Sequence, residues 1–296
     1  MRPDTPLKIF ELRLDQDGLK DELERSDPRT ILGPGLLGWH FEAGFAFLFC
    51  LETVEPEGLL KKFPKLKLQQ THNLRYDEWQ DGARARAFAV GPLSILPAGG
   101  EGAEEARGAS NPKPEAAEGG VRPVHIDPGL AFGFGGHGTT RACLSFLARI
   151  YSPQNKFHPA SCLDLGTGTG VLALAAARLG ASRVLGVDYS RLAVDAAERN
   201  LMLNRLEDKV AFVYGQAGDY AGYEGELLLA NVPLAVHLEL IWKGAFEKRR
   251  YAVVSGLLQR EAEELKEKLF LARPFKVLDS CRDDRWSSWL LDFREF

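Results

Sequence analysis

The stretch Leu163-Asp164-Leu165-Gly166-Thr167-Gly168-Thr169-Gly170 constrains this chain more than any other. It ends a short apolar run from Ala160 and opens a helix-like run from Val171 to Leu179. The order is strand, glycine-rich turn, helix. Alternate glycines let the backbone turn sharply and let a ligand approach the main chain closely. Val184-Leu185-Gly186-Val187-Asp188 then reads as a second strand ending in a carboxylate. The separation of Gly166 from Asp188 suits a carboxylate that accepts hydrogen bonds from the two hydroxyls of a ribose. These residues predict an adenosine-containing cofactor.

Two such cofactors compete. A dinucleotide site wants Gly-x-Gly-x-x-Gly/Ala with the pyrophosphate on a helix N-terminus. Gly168-Thr169-Gly170-Val171-Leu172-Ala173 can be set in that frame, so the short motif alone leaves an NAD-dependent oxidoreductase open. Asp164 points the other way. A carboxylate two residues before the first glycine repels a pyrophosphate but suits the cationic methionyl end of S-adenosylmethionine. The pattern Leu-Asp-x-Gly-x-Gly-x-Gly resembles the first motif of the Rossmann-like methyltransferases.

The chain has 296 residues, room for one large domain or two ordinary ones, and 45% hydrophobic residues, ample for a core. A net charge of −4 carries no basic nucleic-acid footprint. The longest apolar runs fall short of a membrane span, and Met1 to Pro6 lacks a signal peptide's apolar core. Cys50, Cys143, Cys162 and Cys281 show no Cys-x-x-Cys spacing, so no metal site and no disulfide framework is expected. Together these predict a cytoplasmic protein with reduced thiols.

Ala98 to Gly120 holds no large apolar residue. It reads as a flexible linker or insert, because it cannot bury enough surface to offset its ordering entropy. It separates a first part, 1–97, from a second, 121–296. The first part looks like a small α+β domain, with strands at Leu7–Leu14, Phe45–Leu51 and the end of Val90–Pro97 and a short helical piece at Leu19–Glu24. His40 and His72 are single histidines, read as surface or packing residues. In the second part strands at 184–188, 210–214, 227–230 and 251–255 alternate with helices at 192–203, 234–246 and 261–271. Two strands, 275–278 and 286–293, then follow without an intervening helix. The alternation predicts an α/β fold with a parallel, doubly wound sheet and an antiparallel edge. That arrangement resembles the seven-stranded sheet of the Rossmann-like methyltransferases.

Ligands of such a sheet sit beyond the carboxyl ends of its strands. Asn231-Val232-Pro233 follows the fourth strand, so Asn231 is expected in the same crevice as Gly166 and Asp188. Its amide oxygen can accept a hydrogen bond from an amino group that is to be methylated. The alternative is an Asn that caps the helix from Leu234. Gln216, after the third strand, is placed to reach an adenine. Ile126 to Arg141 is a second unusual stretch, rich in glycine. Thr139 or Thr140 is expected to cap the helix that follows. Phe132 can pack on a cofactor, and His137 can donate to it or serve as a base.

Asp-Pro-Gly-Leu-Ala-Phe-Gly-x-Gly-x-His-x-Thr-Thr-Arg, then the glycine turn, Gly-Val-Asp and Ala-Asn, resembles the bacterial ribosomal protein L11 methyltransferase family. The likeness covers Ile126 to about Asn231 closely. It implies S-adenosylmethionine as cofactor and amino groups of a ribosomal protein, lysine or N-terminal, as acceptors. The family's cofactor positions fall on Thr140, Gly166, Asp188 and Asn231. Backbone at Gly166, Gly168 and Gly170 would meet the methionyl end, with Asp164 nearby. The chain departs from the family at Gly133-Phe134-Gly135, at Gly136 and Gly138, in Val232-Pro233 and in the insert 98–120. Its first part, by likeness a substrate-recruiting domain, matches only faintly. A methyltransferase acting on another amine and a non-catalytic adaptor are the other readings.

Overall fold

The computed structural model describes residues 5–14, 18, 19, 22, 23, 26, 28–42, 44–75, 87–98, 120–127, 136–283 and 285–294. The chain divides into two compact units, Met1–Arg84 with Ser190–Leu192, and Ala85–Tyr189 with Ala193–Phe296. Among the described residues no helix is long and apolar enough to cross a membrane.

In the first unit the order is β1 (Pro6–Leu14), a short helix α1 (Arg29–Leu32), β2 (Leu36–Glu42), β3 (Phe45–Leu51), α2 (Glu57–Lys62) and β4 (Leu66–Arg75). The sheet runs β2-β3-β1-β4 and is antiparallel throughout, the ferredoxin-like split arrangement. Alternation along β1 and β3 sends Phe10, Leu12, Ala46 and Leu48 into one core with Trp39, Leu59 and Phe63. β4 escaped the sequence reading because Gln69, Gln70, His72 and Asn73 give it no apolar alternation. It is an edge strand, where polar residues guard against further pairing. His72 has a partner there: its Nε2 lies 3.1 Å from Glu11 Oε2.

The second unit begins with β5 (Phe88–Val90), β6 (Leu93–Pro97) and β7 (Arg122–Ile126), which form one three-stranded sheet. β6 and β7 are parallel, with Leu93 opposite Arg122 and Pro97 opposite Ile126. Parallel neighbours need a crossover of a dozen or more residues, and 98–121 connects these two. The segment read as a linker between domains therefore joins two strands of one sheet. The division falls at 84/85 rather than at 97. Of the insert itself, 99–119 lie outside the described residues.

Then come α3 (Gly138–Ile150), β8 (Ser161–Leu165), α4 (Val171–Leu179), β9 (Arg183–Asp188), α5 (Arg191–Asn204), β10 (Val210–Tyr214), β11 (Leu227–Asn231), α6 (Leu234–Trp242), β12 (Tyr251–Leu258), α7 (Gln259–Ala272), β13 (Lys276–Asp283) and β14 (Trp286–Asp292). The seven-stranded sheet runs β10-β9-β8-β11-β12-β14-β13. All pairs are parallel except those made by β14. The expected doubly wound sheet with an antiparallel edge is thus present. Strand order reverses between β8 and β11, which creates a crevice outside their carboxyl ends. The predicted glycine turn and Asn231 flank that point.

Position within the layers explains α4. Every residue but Arg178 is buried, because the helix packs with the large sheet on one side and Leu93, Ile95, Val124 and Ile126 of the small sheet on the other. Its alanines allow that close approach. Arg122 donates to the carbonyls of Arg178 (2.9 Å) and Leu179 (2.8 Å), satisfying orphan acceptors at its C-terminus.

Candidate active site at the carboxyl edge of the sheet

Gly166, Gly168 and Gly170 all adopt left-handed backbone, with φ of 76°, 56° and 81°. This lets the chain leave β8, double back and enter α4 within five residues. Gly166 and Thr167 donate their amides to Val187 O at 2.8 and 3.0 Å, binding the turn to β9. At Gly170 a side chain is excluded twice: φ is positive, and an added Cβ would lie 2.6 Å from Phe212 Cζ and 3.2 Å from Ala197 Cβ. Left-handed strain and overpacking each cost about 1–2 kcal/mol, so Gly170→Ala is expected to lose about 3 kcal/mol of stability. A shift of the urea midpoint worth less than about 1 kcal/mol would show that the turn relaxes freely.

Two carboxylates converge on this turn. Asp188, nearly buried at the end of β9, accepts the Gly168 amide on Oδ2 at 2.9 Å. Asp164, at 1% exposure, accepts the Thr167 hydroxyl on Oδ2 at 2.6 Å. Burial pushes the Asp164 carboxyl up to about 7; the Thr167 hydroxyl opposes this, and the nearby Asp188 charge adds to it. The folded protein therefore holds a proton that the unfolded chain releases near pH 4. That contribution to stability is lost as pH rises through about 7. Stability should fall by up to about 1.4 kcal/mol per pH unit from pH 4 to 7, and Asp164→Asn should flatten the slope. Denaturant titrations across that range test it; an equal slope in the variant would exclude Asp164 as its source.

On the other flank of the switch point, Asn231 ends β11 and its Nδ2 donates to Thr139 Oγ1 at 3.4 Å. Thr139 Oγ1 lies 2.8 Å from His137 Nδ1. His137 is the N-cap of α3: Nδ1 accepts the Thr139 amide at 3.3 Å. In the neutral ring the proton therefore sits on Nε2. The ring stands edge-on to Trp286, with centroids 5.4 Å apart and planes at 77°. Thr139, His137 and Asn231 thus form one linked set, in which the amide nitrogen of Asn231 is engaged and its Oδ1 is the atom suited to accept a proton donor.

Asn200, fully buried on α5, ties the glycine turn to the strand end at Asp127. It donates to Thr169 O (2.9 Å) and Asp127 O (3.0 Å), and its Oδ1 accepts the Asp127 amide (2.7 Å). Among the described residues no cluster of His, Cys, Asp or Glu could hold a metal ion.

A sequence profile of the family described as ribosomal protein L11 methyltransferase (PrmA) matches residues 111–293, more than half of the chain. The chain belongs to the ribosomal protein L11 methyltransferase family. Curated members named ribosomal protein L11 methyltransferase include one from Desulforamulus reducens, 35% identical over 169 residues, covering 56% of this chain and 53% of the relative. Another, from Shewanella denitrificans, is 36% identical over 179 residues, covering 60% of this chain and 56% of the relative. The chain spans about half the length of the curated relatives it matches. A crystal structure described as ribosomal protein L11 methylase from Lactobacillus delbrueckii subsp. bulgaricus superposes with a TM-score of 0.56 at 26% identity, covering 71% of this chain and 100% of that one.

Within this L11 methyltransferase fold, Asp164, Gly166, Gly168, Gly170 and Asp188 stand together at one turn, while Asn231 and His137 are joined through Thr139. Thr140 is buried in the first turn of α3, next to Thr139. Gln216 is exposed, one residue after Gly215, whose amide donates to Asp188 O at 3.0 Å. Phe132 lies outside the described residues. The cap of α3 differs from expectation: His137 fills it rather than Thr139 or Thr140, because its ring nitrogen reaches the Thr139 amide. Asn231 caps nothing; Pro233 holds the N-cap position of α6. Thr139 as the link and Trp286 as the wall beside His137 were missed. Trp286 is distant in sequence, and only the return of β14 beside β12 brings it near.

Proposed function

We propose that this chain is an S-adenosylmethionine-dependent N-methyltransferase acting on amino groups of a ribosomal protein, lysine or N-terminal amine. The observation that carries the reading is the pair of strand ends at the switch point: Asp188 with the glycine turn on one side, and Asn231, its amide nitrogen engaged by Thr139, on the other. The donor chemistry fits the cofactor. Asp188 offers a carboxylate to ribose hydroxyls, the left-handed glycines bare their backbone, and Asp164 offers a carboxyl whose ionised form a cationic methionyl end would favour.

S-adenosylmethionine supplies a methyl group already activated on a sulfonium, so the protein's work is positioning and excluding water. In this reading Asn231 Oδ1 accepts a hydrogen from the acceptor nitrogen and turns its lone pair toward the methyl group. Thr139 keeps the amide from rotating. His137 holds Thr139 and, with Nδ1 engaged, presents Nε2–H as a donor rather than a base. The acceptor amine loses its proton to bulk water. Gln216 reaches toward the adenine, and Thr140 lines the cofactor. The first unit recruits the acceptor protein, and a ribosomal acceptor places the enzyme in the cytoplasm.

Calorimetric titration with S-adenosylhomocysteine, followed by transfer of labelled methyl groups to purified unmethylated ribosomal protein L11, tests the proposal. Micromolar binding and label on L11 are expected. A folded protein that binds no S-adenosylhomocysteine would sink it in favour of a nicotinamide cofactor or an adaptor. Binding with label only on other amines would keep the methyltransferase and replace the acceptor.

A further inference from the structure

Beneath the Asn231 turn lies a buried polar group that the proposed chemistry does not use. His237, at the end of the first turn of α6, is fully buried. Its Nε2 lies 2.9 Å from the carbonyl of Ser255. A carbonyl only accepts, so Nε2 carries the proton. Nδ1 is then a bare acceptor, and among the described residues it has no hydrogen-bond partner. Burial lowers the imidazole pKa to about 4, against a smaller upward pull from the Ser255 and Val232 backbone, so the ring is neutral at physiological pH.

An unsatisfied acceptor in a dry interior costs free energy that an apolar side chain of similar size would not. The role of the His237 N–H is read from the Ser255 carbonyl. That carbonyl accepts two donors, His237 Nε2–H and, at 3.2 Å, the amide of Val232, the residue directly after Asn231. Ser255 is also the ladder partner of Asn231 across β11 and β12. Just beyond it β12 bulges: its pairing with β14 shifts between Val254 and Leu257, and Gly256 adopts φ of 80°. A Cβ on Gly256 would lie 2.6 Å from Val232 O and 2.8 Å from Val232 N, so the bulge is pressed against the backbone of the turn. Ser255 Oγ is held in turn by Ser288 Oγ at 2.7 Å. One carbonyl thus anchors the turn from the strand side and α6 from the helix side.

We infer that His237 is a positioning residue: its N–H, by sharing the Ser255 carbonyl with the Val232 amide, locks α6 to β12 and so fixes the direction of Asn231. The inference rests on the methyltransferase reading for its consequence, and on the buried geometry alone for its cause. With His237 lost, the first turn of α6 can rotate on Pro233, and Asn231 Oδ1 samples directions that do not meet an acceptor. The glycine turn and Asp188, on the far side of the switch point, are untouched.

His237→Leu and His237→Gln in the full chain separate this from a packing role. A glutamine amide can offer N–H to the same carbonyl; leucine cannot. With ribosomal protein L11 as acceptor, His237→Leu is expected to lower kcat about 30-fold with KM for both substrates and S-adenosylhomocysteine affinity within about threefold, and His237→Gln to recover most of the loss. Full activity in His237→Leu, or equal losses in both variants together with loss of S-adenosylhomocysteine affinity, would overturn the inference. Should the leucine variant fail to fold, the imidazole nitrogens of the wild-type protein decide by nuclear magnetic resonance. A single Nε2–H tautomer that does not titrate between pH 5 and 8 is expected; an Nδ1–H tautomer or a titrating ring overturns it. Absence of methyl transfer by the wild-type protein would defeat the functional proposal and leave this resonance test in force.

Discussion

Asp188→Ala is expected to weaken S-adenosylhomocysteine binding by a hundredfold or more. A hydrogen bond to a charged group contributes about 1.5–3 kcal/mol, and a ribose diol offers two to this carboxylate, so the loss should reach about 3 kcal/mol at least. Asp188 also accepts the Gly168 amide, and alanine would leave that donor without its partner at the heart of the turn. Asp188→Asn separates the two effects. The amide keeps an oxygen for Gly168 but gives up the charge and one acceptor, so a loss of roughly tenfold is expected. Calorimetric titration of the three proteins at one pH makes the comparison. An alanine variant that unfolds cooperatively and binds within threefold of wild type would remove Asp188 from the cofactor site.

Asn231→Ala is expected to act on turnover instead. With Oδ1 gone, nothing on β11 holds the acceptor nitrogen in line, and misplacement by about 1 Å costs about a hundredfold in rate. We expect kcat for methyl transfer to fall by about that factor while S-adenosylhomocysteine affinity changes less than tenfold. Asn231→Asp retains an acceptor oxygen but cannot donate to Thr139, so it should lie between the two. Single-turnover rates at saturating substrate read this directly. Equal falls in affinity and in rate would place Asn231 in cofactor binding alone, the other role its position suggests.

The sequence was most legible where one local pattern carries one local consequence. Gly166, Gly168 and Gly170 announce a turn because no other residue takes left-handed backbone so readily, and all three adopt it. The apolar runs of β8, β9, β11 and β12 announce buried parallel strands, because a strand covered on both faces cannot alternate. Two closing strands without a helix announced the antiparallel edge. Boundaries were weaker. β12 was expected to end at Ser255 and runs to Leu258, because a bulge at Gly256 bends the strand without ending it. α6 was expected to reach Phe246 and ends at Trp242, with a left-handed Gly244 just beyond.

By itself the sequence displayed the residues at each strand end: a glycine turn between two acidic residues, and an asparagine three strands on. Each of these is a property of a few adjacent residues, and adjacent residues are what a sequence displays. Only the tertiary structure decided which of them meet. It made His137 the cap of α3 and linked it through Thr139 to Asn231, which lies 92 residues beyond Thr139. It placed Trp286 beside His137 and the carbonyl of Ser255 under Val232. It also joined β6 to β7 across a segment that composition alone reads as a boundary. The physical reason is common to all of these. Hydrogen bonds and ring contacts act over a few ångströms of space, and the partners that fill that space are chosen by sheet order and register, which no local run of residues encodes.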